Sequence, residues 1–308
     1  MTVDIFLPIA GSSANVPLLV GLGAVVGFLS GLFGVGGGFL LTPLLMMIGI
    51  PPTVAAASDA NQIVAASTSG CYAHFREGNV DFRMGTVMLL SGIAGSALGV
   101  QIIKLLRAVG EANFVITVVY VVMLGSIGSY MFFESLGALR GRKPRSWRAP
   151  LRPSVYRRMV EGLPLQMHFP RSKVTLSACV PALLGFFVGL LAAVMGVGGG
   201  FIMVPVMVYL LRMPMHVVVG TSLFQVLFTC MNVTVLQAYV NHTVDFVLAL
   251  ILLLGSVVGA QIGARAGRRL KADQLKILMS VVVLVVMAKM LLSLLQAPDV
   301  LLAYKGGH

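Results

Sequence analysis

Two copies of one glycine-rich motif are the residues best suited to bind a ligand. Gly34-Val-Gly-Gly-Gly-Phe39 recurs as Gly196-Val-Gly-Gly-Gly-Phe201, and an apolar segment follows each copy. Consecutive glycines leave backbone N–H groups uncovered at the start of a short helix, where the positive end of the helix dipole favours anions. Glycine also permits tight turns and close helix packing, which is the alternative interpretation. The first interpretation places an anion near Gly36, Gly37, Gly38, Gly198, Gly199 and Gly200.

Polar side chains lie deep within the next apolar segment of each copy. Residues of this kind normally face the interior of a helix bundle or a water-filled path. Serine and threonine hydroxyls can instead bond to the backbone of their own helix. The hydroxyl and amide groups that we take as candidate substrate ligands are Ser58, Asn61, Gln62, Thr221, Ser222 and Gln225.

Asp59 is the acidic residue of this polar stretch. An ionised carboxylate at the centre of a membrane helix costs at least about 2.5–3.5 kcal/mol. The side chain therefore pairs with a basic group, lies nearer the membrane surface, or binds a proton. The last alternative makes Asp59 a candidate for proton coupling, in one half only, because the second copy has Thr221 there.

Motifs for other chemistries are missing. The glycine motif ends in phenylalanine where a dinucleotide-binding motif requires glycine, and it lies between membrane segments. The three cysteines, Cys71, Cys179 and Cys230, have no metal-ligand or disulfide spacing. We therefore predict no cofactor, no metal site and no enzyme activity.

Composition indicates an all-α polytopic membrane protein. Apolar residues make up 58% of the 308-residue chain and charged residues only 10%, against about 25% charged residues in soluble domains. The net charge of +12 does not indicate nucleic acid, because ten of the 22 Lys and Arg residues lie between Arg140 and Lys173. Such clusters between apolar segments are typical of cytoplasmic loops beside anionic lipid. The N-terminus has no basic region of the kind that begins a cleaved signal peptide.

The apolar runs predict five segments, a basic linker and five further segments. The first five are Val16–Phe33, Phe39–Gly49, Thr53–Phe75, Gly85–Leu106 and Ala112–Phe133. The second five are Val174–Met195, Phe201–Leu211, Met215–Tyr239, Phe246–Ala266 and Leu275–Leu295. The chain thus divides into a first repeat over 1–133, a linker over 134–173 and a second repeat over 174–308.

The two halves repeat in residues as well as in hydropathy. Pro43 and Pro52 recur as Pro205 and Pro214 at the offset of the glycine motif, and Asn79-Val80-Asp81 resembles His242-Thr-Val244-Asp245. An odd number of crossings per half inverts the second copy in the membrane. This topology places 18 of the 22 basic residues inside, as the positive-inside rule requires, with both termini outside.

The second segment of each half is too short to cross a membrane. Eleven residues make about 16 Å of helix, against a hydrocarbon core of about 30 Å. We therefore expect a broken-helix hairpin that turns at the glycines. In inverted repeats the two hairpins enter from opposite faces, so that their tips can meet.

The duplicated Gly-x-Gly-Gly-Gly-Phe motif, the proline four residues after it, the twin polar helices and the central linker resemble the TauE/SafE sulfite exporter family. The resemblance extends from about Val16 to Leu295. It implies a bacterial inner-membrane permease for sulfite, sulfonates or other small sulfur anions.

These observations predict a secondary transporter that exports a small sulfur-containing anion by alternating access, with proton coupling as a hypothesis. An anion channel, or an uptake permease for another small organic anion, is the alternative. The predicted partners are the anionic substrate and the lipid bilayer, and nucleic acid is not expected.

Overall fold

The computed structural model describes residues 4–33, 38–139, 165–172, 174–209, 211, 213–267 and 272–295, and it confirms the helical fold class. The first half contains the helices α1 (Val16–Phe33), α2 (Gly38–Met47), α3 (Pro52–Arg76), α4 (Phe82–Val109) and α5 (Ala112–Leu139). The second half contains α6 (Cys179–Met195), α7 (Gly200–Tyr209), α8 (Met215–Leu236), α9 (Phe246–Gly267) and α10 (Ala272–Leu295). A π-helical turn, Gln237–Asn241, extends α8.

A short β-hairpin precedes the first helix of each half. β1 (Asp4–Leu7) pairs antiparallel with β2 (Ser12–Asn15), and β3 (Gln166–Phe169) pairs with β4 (Val174–Ser177). The hairpins are separated by the same 162 residues as the glycine motifs, so they belong to the duplicated unit.

The predicted apolar segment Val174–Met195 is wrong at its start. Its first four residues form β4, and the helix begins only at Cys179. In β4, Thr175 is exposed whereas Leu176 is buried, as expected when successive side chains point to opposite faces of a strand. The predicted linker 134–173 lies mostly outside the described residues, between the end of α5 at Leu139 and the start of β3 at Gln166.

Helices of the two halves are interleaved. α1 packs along α9, and α6 packs along α4, so each half presents its first helix to the fourth helix of the other half. Glycines bring these backbones into contact. A methyl group added at Gly259 would overlap the carbonyl oxygen of Ala24, and one at Gly189 would overlap that of Gly92. α3 against α8 and α5 against α10 complete the bundle.

The two short helices lie inside this bundle. α2 and α7 have ten residues each, which is about 15 Å of helix and half of the membrane core. Every residue of α2 from Gly38 to Pro43 is buried. Neither short helix can cross a membrane alone, in agreement with the sequence.

The outer surface of the bundle is apolar. On α9, Leu250, Leu254 and Val258 are 50%, 59% and 58% exposed. In the described part of the chain, four helical stretches are long and apolar enough to cross a membrane: Phe82–Val109, Ala112–Tyr130, Val217–Asn241 and Phe246–Gly263. Together with the shorter apolar helices, they make the chain a multi-pass membrane protein.

Candidate functional site

The second glycine motif breaks the chain between α6 and α7. Gly196 ends α6 in the left-handed conformation, and its N–H donates to the carbonyl of Ala192 at 2.8 Å. Gly198 and Gly199 also have positive φ angles of 67° and 74°, which glycine adopts without strain. Residues 196–200 are all buried. Among the described residues, none accepts a hydrogen bond from the N–H groups of Gly198, Gly199 or Gly200.

The first glycine motif approaches the second one. Gly36 and Gly37 lie outside the described residues, but Gly38 begins α2. Phe39 and Phe201, which occupy the same position in the two motifs, stack with ring centroids 4.3 Å apart and planes 10° from parallel. A methyl group at Gly38 would overlap Ile63, and one at Gly198 would lie 3.3 Å from the same side chain. The starts of the two short helices therefore meet at the centre of the bundle, beside α3.

Two glutamines lie on α3 and α8, the helices that carry Ile63 and Val226 beside Gly198. Gln62 precedes Ile63 on α3. Gln225 points toward α4, where its Nε2 would lie 3.2 Å from a methyl group added at Gly92. The buried atoms Gln62 Oε1, Gln225 Oε1 and Gln225 Nε2 have no hydrogen-bond partner among the described residues. Thr229 Oγ1, one turn further along α8, is buried and unpartnered as well. Unused donors and acceptors thus lie on both polar helices, and those of Gln225 and Thr229 face α4 at Gly92.

Asp59, one helical turn before Ile63 on α3, also lies beside Gly38. Its carboxylate is fully buried, and its Oδ2 accepts a hydrogen bond from the Thr42 hydroxyl at 2.7 Å. A methyl group at Gly38 would be 3.2 Å from the same oxygen. Asp59 Oδ1 has no partner, and none of the described basic side chains forms an ion pair with this carboxylate. A short helix thus touches the one buried acid of the polar stretch.

The hydroxyl candidates have partners within the protein. Ser58 Oγ accepts a hydrogen bond from the N–H of Asp245 at 3.2 Å, and Thr221 Oγ1 accepts one from the N–H of Asp81 at 3.0 Å. The Ser222 hydroxyl donates to the carbonyl of Val219 in its own helix at 3.0 Å. Asn61 is only half-buried. The fold therefore brings Gly38, Gly198 and Asp59 together, whereas the Gln225 amide lies at Gly92 and the three hydroxyl groups bond within the protein.

Asp81 and Asp245 are residues whose role the sequence did not indicate. Asp81 caps α4 by accepting from the N–H of Met84 at 3.2 Å, and it also accepts from the N–H and hydroxyl of Ser172 at 2.9 and 2.6 Å. Asp245 accepts from the N–H groups of Leu248 at 3.1 Å and Ile9 at 3.2 Å. Each aspartate thus joins the start of its helix to the hairpin turn of the opposite half. Their place in the repeat was the available signal.

The described residues contain no group of three His, Cys, Asp or Glu side chains that could hold a metal ion. Cys71, Cys179 and Cys230 are free thiols. The chemistry available at the centre is therefore hydrogen bonding from backbone N–H and side-chain amide groups, together with one carboxyl group.

Comparison with known proteins gives a consistent result. The family model described as Sulfite exporter TauE/SafE matches residues 19–290. The "Probable membrane transporter protein YjnA" of Bacillus subtilis is 27% identical over 86% of this chain and 95% of its own length. A "Probable membrane transporter protein" of Xylella fastidiosa strain Temecula1 is 31% identical over 67% of this chain and 68% of its own. "Sulfite exporter TauE/SafE family protein 2" of Arabidopsis thaliana is 28% identical over 42% and 28%, respectively. No solved structure matches the chain.

Proposed function

Because this chain belongs to the TauE/SafE sulfite exporter family of membrane transporters, we propose that it is a secondary transporter that exports a small sulfur-containing anion, such as sulfite or an organosulfonate. The family description supports sulfite as the first substrate to test. The proposed location is a bacterial inner membrane. The basic linker then lies in the cytoplasm, as the positive-inside rule favours.

One observation supports the anion site above all others. Gln62 Oε1 and both polar atoms of the Gln225 amide are buried on the two polar helices without a partner among the described residues. A buried polar group without a partner costs about 1–3 kcal/mol. A bound oxyanion relieves this cost at Gln225 Nε2, which can donate to an anion oxygen.

The proposed binding mode combines two glycine turns and two polar helices. The N–H groups near Gly36–Gly38 and Gly198–Gly200 face the anion with the positive ends of α2 and α7. Gln62, Gln225 and Asn61 donate side-chain hydrogen bonds. The hydroxyl protons of Ser58 and Thr221 remain available, because only their oxygens are used as acceptors. Ser222 contributes least, since its proton is bonded within its own helix.

Alternating access is the proposed mechanism. Broken helices at the midplane are typical of transporters built from repeats, in which one half moves against the other around a central site. The stacked rings of Phe39 and Phe201 lie between the two short helices. Stacked rings at the centre favour a carrier over a continuous anion pore, because ions cannot pass through the contact without movement.

Asp59 is the proposed proton-coupling group. It is buried beside Gly38, has the Thr42 hydroxyl as a donor and has no basic partner among the described residues. Such a carboxyl group can hold a proton without a counter-ion. Its contact with the first glycine turn offers a way for proton binding and anion binding to influence each other.

Counterflow of radiolabelled sulfite in proteoliposomes tests this function. We expect saturable uptake that internal unlabelled sulfite accelerates and that sulfoacetate or taurine reduces. Flux without acceleration by internal substrate would identify a channel. Absence of both flux and thermal stabilisation with every sulfur anion would show that the substrate class is wrong.

A further inference from the structure

A cavity with charged and aromatic lining residues lies at the edge of the bundle, and none of these residues belongs to the glycine motifs. It has a volume of about 280 Å³ and is formed where the turn between β3 and β4 meets the start of α4. Arg83 and Arg171 line it, and both side chains are exposed. The described part of the chain offers neither guanidinium an acidic partner. Two free guanidinium groups at one cavity constitute a positively charged recess.

The Arg171 guanidinium lies beside Gly78. The φ angle of Gly78 is 70°, and a methyl group there would be 3.4 Å from Arg171 Nη1. On the same side, Phe75 and Phe82 form an apolar wall, with ring centroids 5.8 Å apart in an edge-to-face arrangement. A compact oxyanion matches the charge, and the carbon chain of an organosulfonate can also contact the rings.

The acidic residue at the cavity forms no ion pair with either arginine. Asp81 lines the cavity, and its carboxylate accepts three hydrogen bonds from the neutral donors of Met84 and Ser172. It keeps its negative charge, but the two guanidinium groups outnumber it, so the recess remains positively charged. Its backbone N–H donates to Thr221, a residue of the central candidate site. The turn that carries Arg171 is therefore connected through Asp81 to the helix that carries Gln225.

The opposite half repeats this framework without the arginines. Asp245 caps α9 and binds the turn between β1 and β2, as Asp81 does for α4 and the second hairpin. Yet the residues that correspond to Arg83 and Arg171 are Val247 and Ile9. The two aspartates are thus part of the repeated framework. The two arginines have no counterparts in the other half, so the repeat does not account for them.

We propose that this recess is a capture site for the sulfur oxyanion on the cytoplasmic face, where the anion enters the transporter before export. Arg83 and Arg171 bind the oxygens of the anion there. This inference rests on the proposed function. Guanidinium groups bind oxyanions through paired charge-assisted hydrogen bonds. The recess is built from the end of the basic linker and the connection between α3 and α4, which the same topology assigns to the cytoplasmic face. An anion held there lies on the route to the central site.

The rate of sulfite transport into phosphatidylcholine proteoliposomes, measured against sulfite concentration, tests this site. We expect Arg83→Gln and Arg171→Gln each to raise the KM about tenfold, the effect of losing one charge-assisted hydrogen bond, with little change in the maximal rate. Arg171→Lys should recover part of the loss. The matched control is Arg76→Gln, which removes an exposed charge at the end of α3 that does not line the recess.

The outcomes separate this site from the central one. If the wild-type protein transports sulfite, and Arg83→Gln and Arg171→Gln have the same KM as the control Arg76→Gln, the capture site is wrong. The proposed function then stands. If the KM changes only when anionic lipid is added to the liposomes, the arginines bind lipid headgroups and the inference is overturned. If the folded wild-type protein transports no sulfur anion, both proposals fail. Equal unfolding temperatures of the variants exclude loss of fold as the cause.

Discussion

Gln225 is fully buried, and neither its oxygen nor its nitrogen has a partner among the described residues. An unpartnered buried amide destabilises the fold by about 1–3 kcal/mol, and leucine removes this cost with little change in volume. We therefore expect Gln225→Leu to unfold at the wild-type temperature or above it. The same variant should lose its stabilisation by sulfite. Thermal unfolding in detergent, with and without sulfite, measures both effects.

Thr234 provides the control for this substitution. Its hydroxyl oxygen on α8 is likewise buried without a partner, but it lies nine residues beyond Gln225 in the sequence. Thr234→Val should therefore keep the full stabilisation by sulfite. A sulfite response that survives in Gln225→Leu, or disappears in both variants, contradicts the assignment of Gln225 to the anion site.

The proposed role of Asp59 in proton coupling can be tested by substitution with asparagine. Asparagine keeps the acceptor for Thr42 and the size of the side chain, but it cannot release a proton. We expect an imposed pH gradient to accelerate sulfite flux in the wild type and not in Asp59→Asn, while counterflow without a gradient persists. Tyr120 and Cys230 are the titratable neighbours of Asp59, and both remain in the variant. Asp4→Asn, at an exposed carboxylate, is the control, and an unchanged gradient response in Asp59→Asn would refute proton coupling through this residue.

At the scale of elements, the helix ends were predictable to within six residues, the largest error being at Leu139, the end of α5. The reason is that lipid demands long apolar runs that end at glycine, proline or charge. The β-hairpins were not. Their strands have four residues each, too few for an alternating pattern to be recognised. The available signal was the repeat itself, since Pro8 and Pro170 lie at the offset of the glycine motifs.

Helix packing gives a prediction at the same scale. α9 contacts α1 through Gly259, where a methyl group would overlap the Ala24 carbonyl, whereas Gly21 on α1 faces open space. Gly259→Ala should lower the unfolding temperature in detergent by forcing these backbones apart. Gly21→Ala should leave it unchanged or raise it, because alanine is favoured over glycine in a helix by about 0.5–1 kcal/mol. Equal effects of the two substitutions would contradict the packing of α1 on α9.

At the scale of the whole molecule, the candidate site was partly predictable. Glycine clusters and amides conflict with an apolar segment, so the sequence alone marks them as residues with a special role. The contacts that connect this site to the two faces were not predictable. Asp81 binds a residue 91 positions away, and Asp245 binds one 236 positions away, so these pairs exist only once the halves have interleaved.

Inversion of the two halves would place Asp81 and Asp245 at opposite faces of the membrane. If the repeats are inverted, the exposed residues beside these aspartates, Glu77 and His242, lie on opposite faces of the membrane. With the native cysteines replaced, we expect an impermeant maleimide to label Glu77→Cys only from the cytoplasm and His242→Cys only from outside. Glu111→Cys is the control, because α4 alone separates it from Glu77, so it must label from outside in either arrangement. Labelling of Glu77→Cys and His242→Cys from one side would show that the halves are parallel, and the capture site would then have no distinct face.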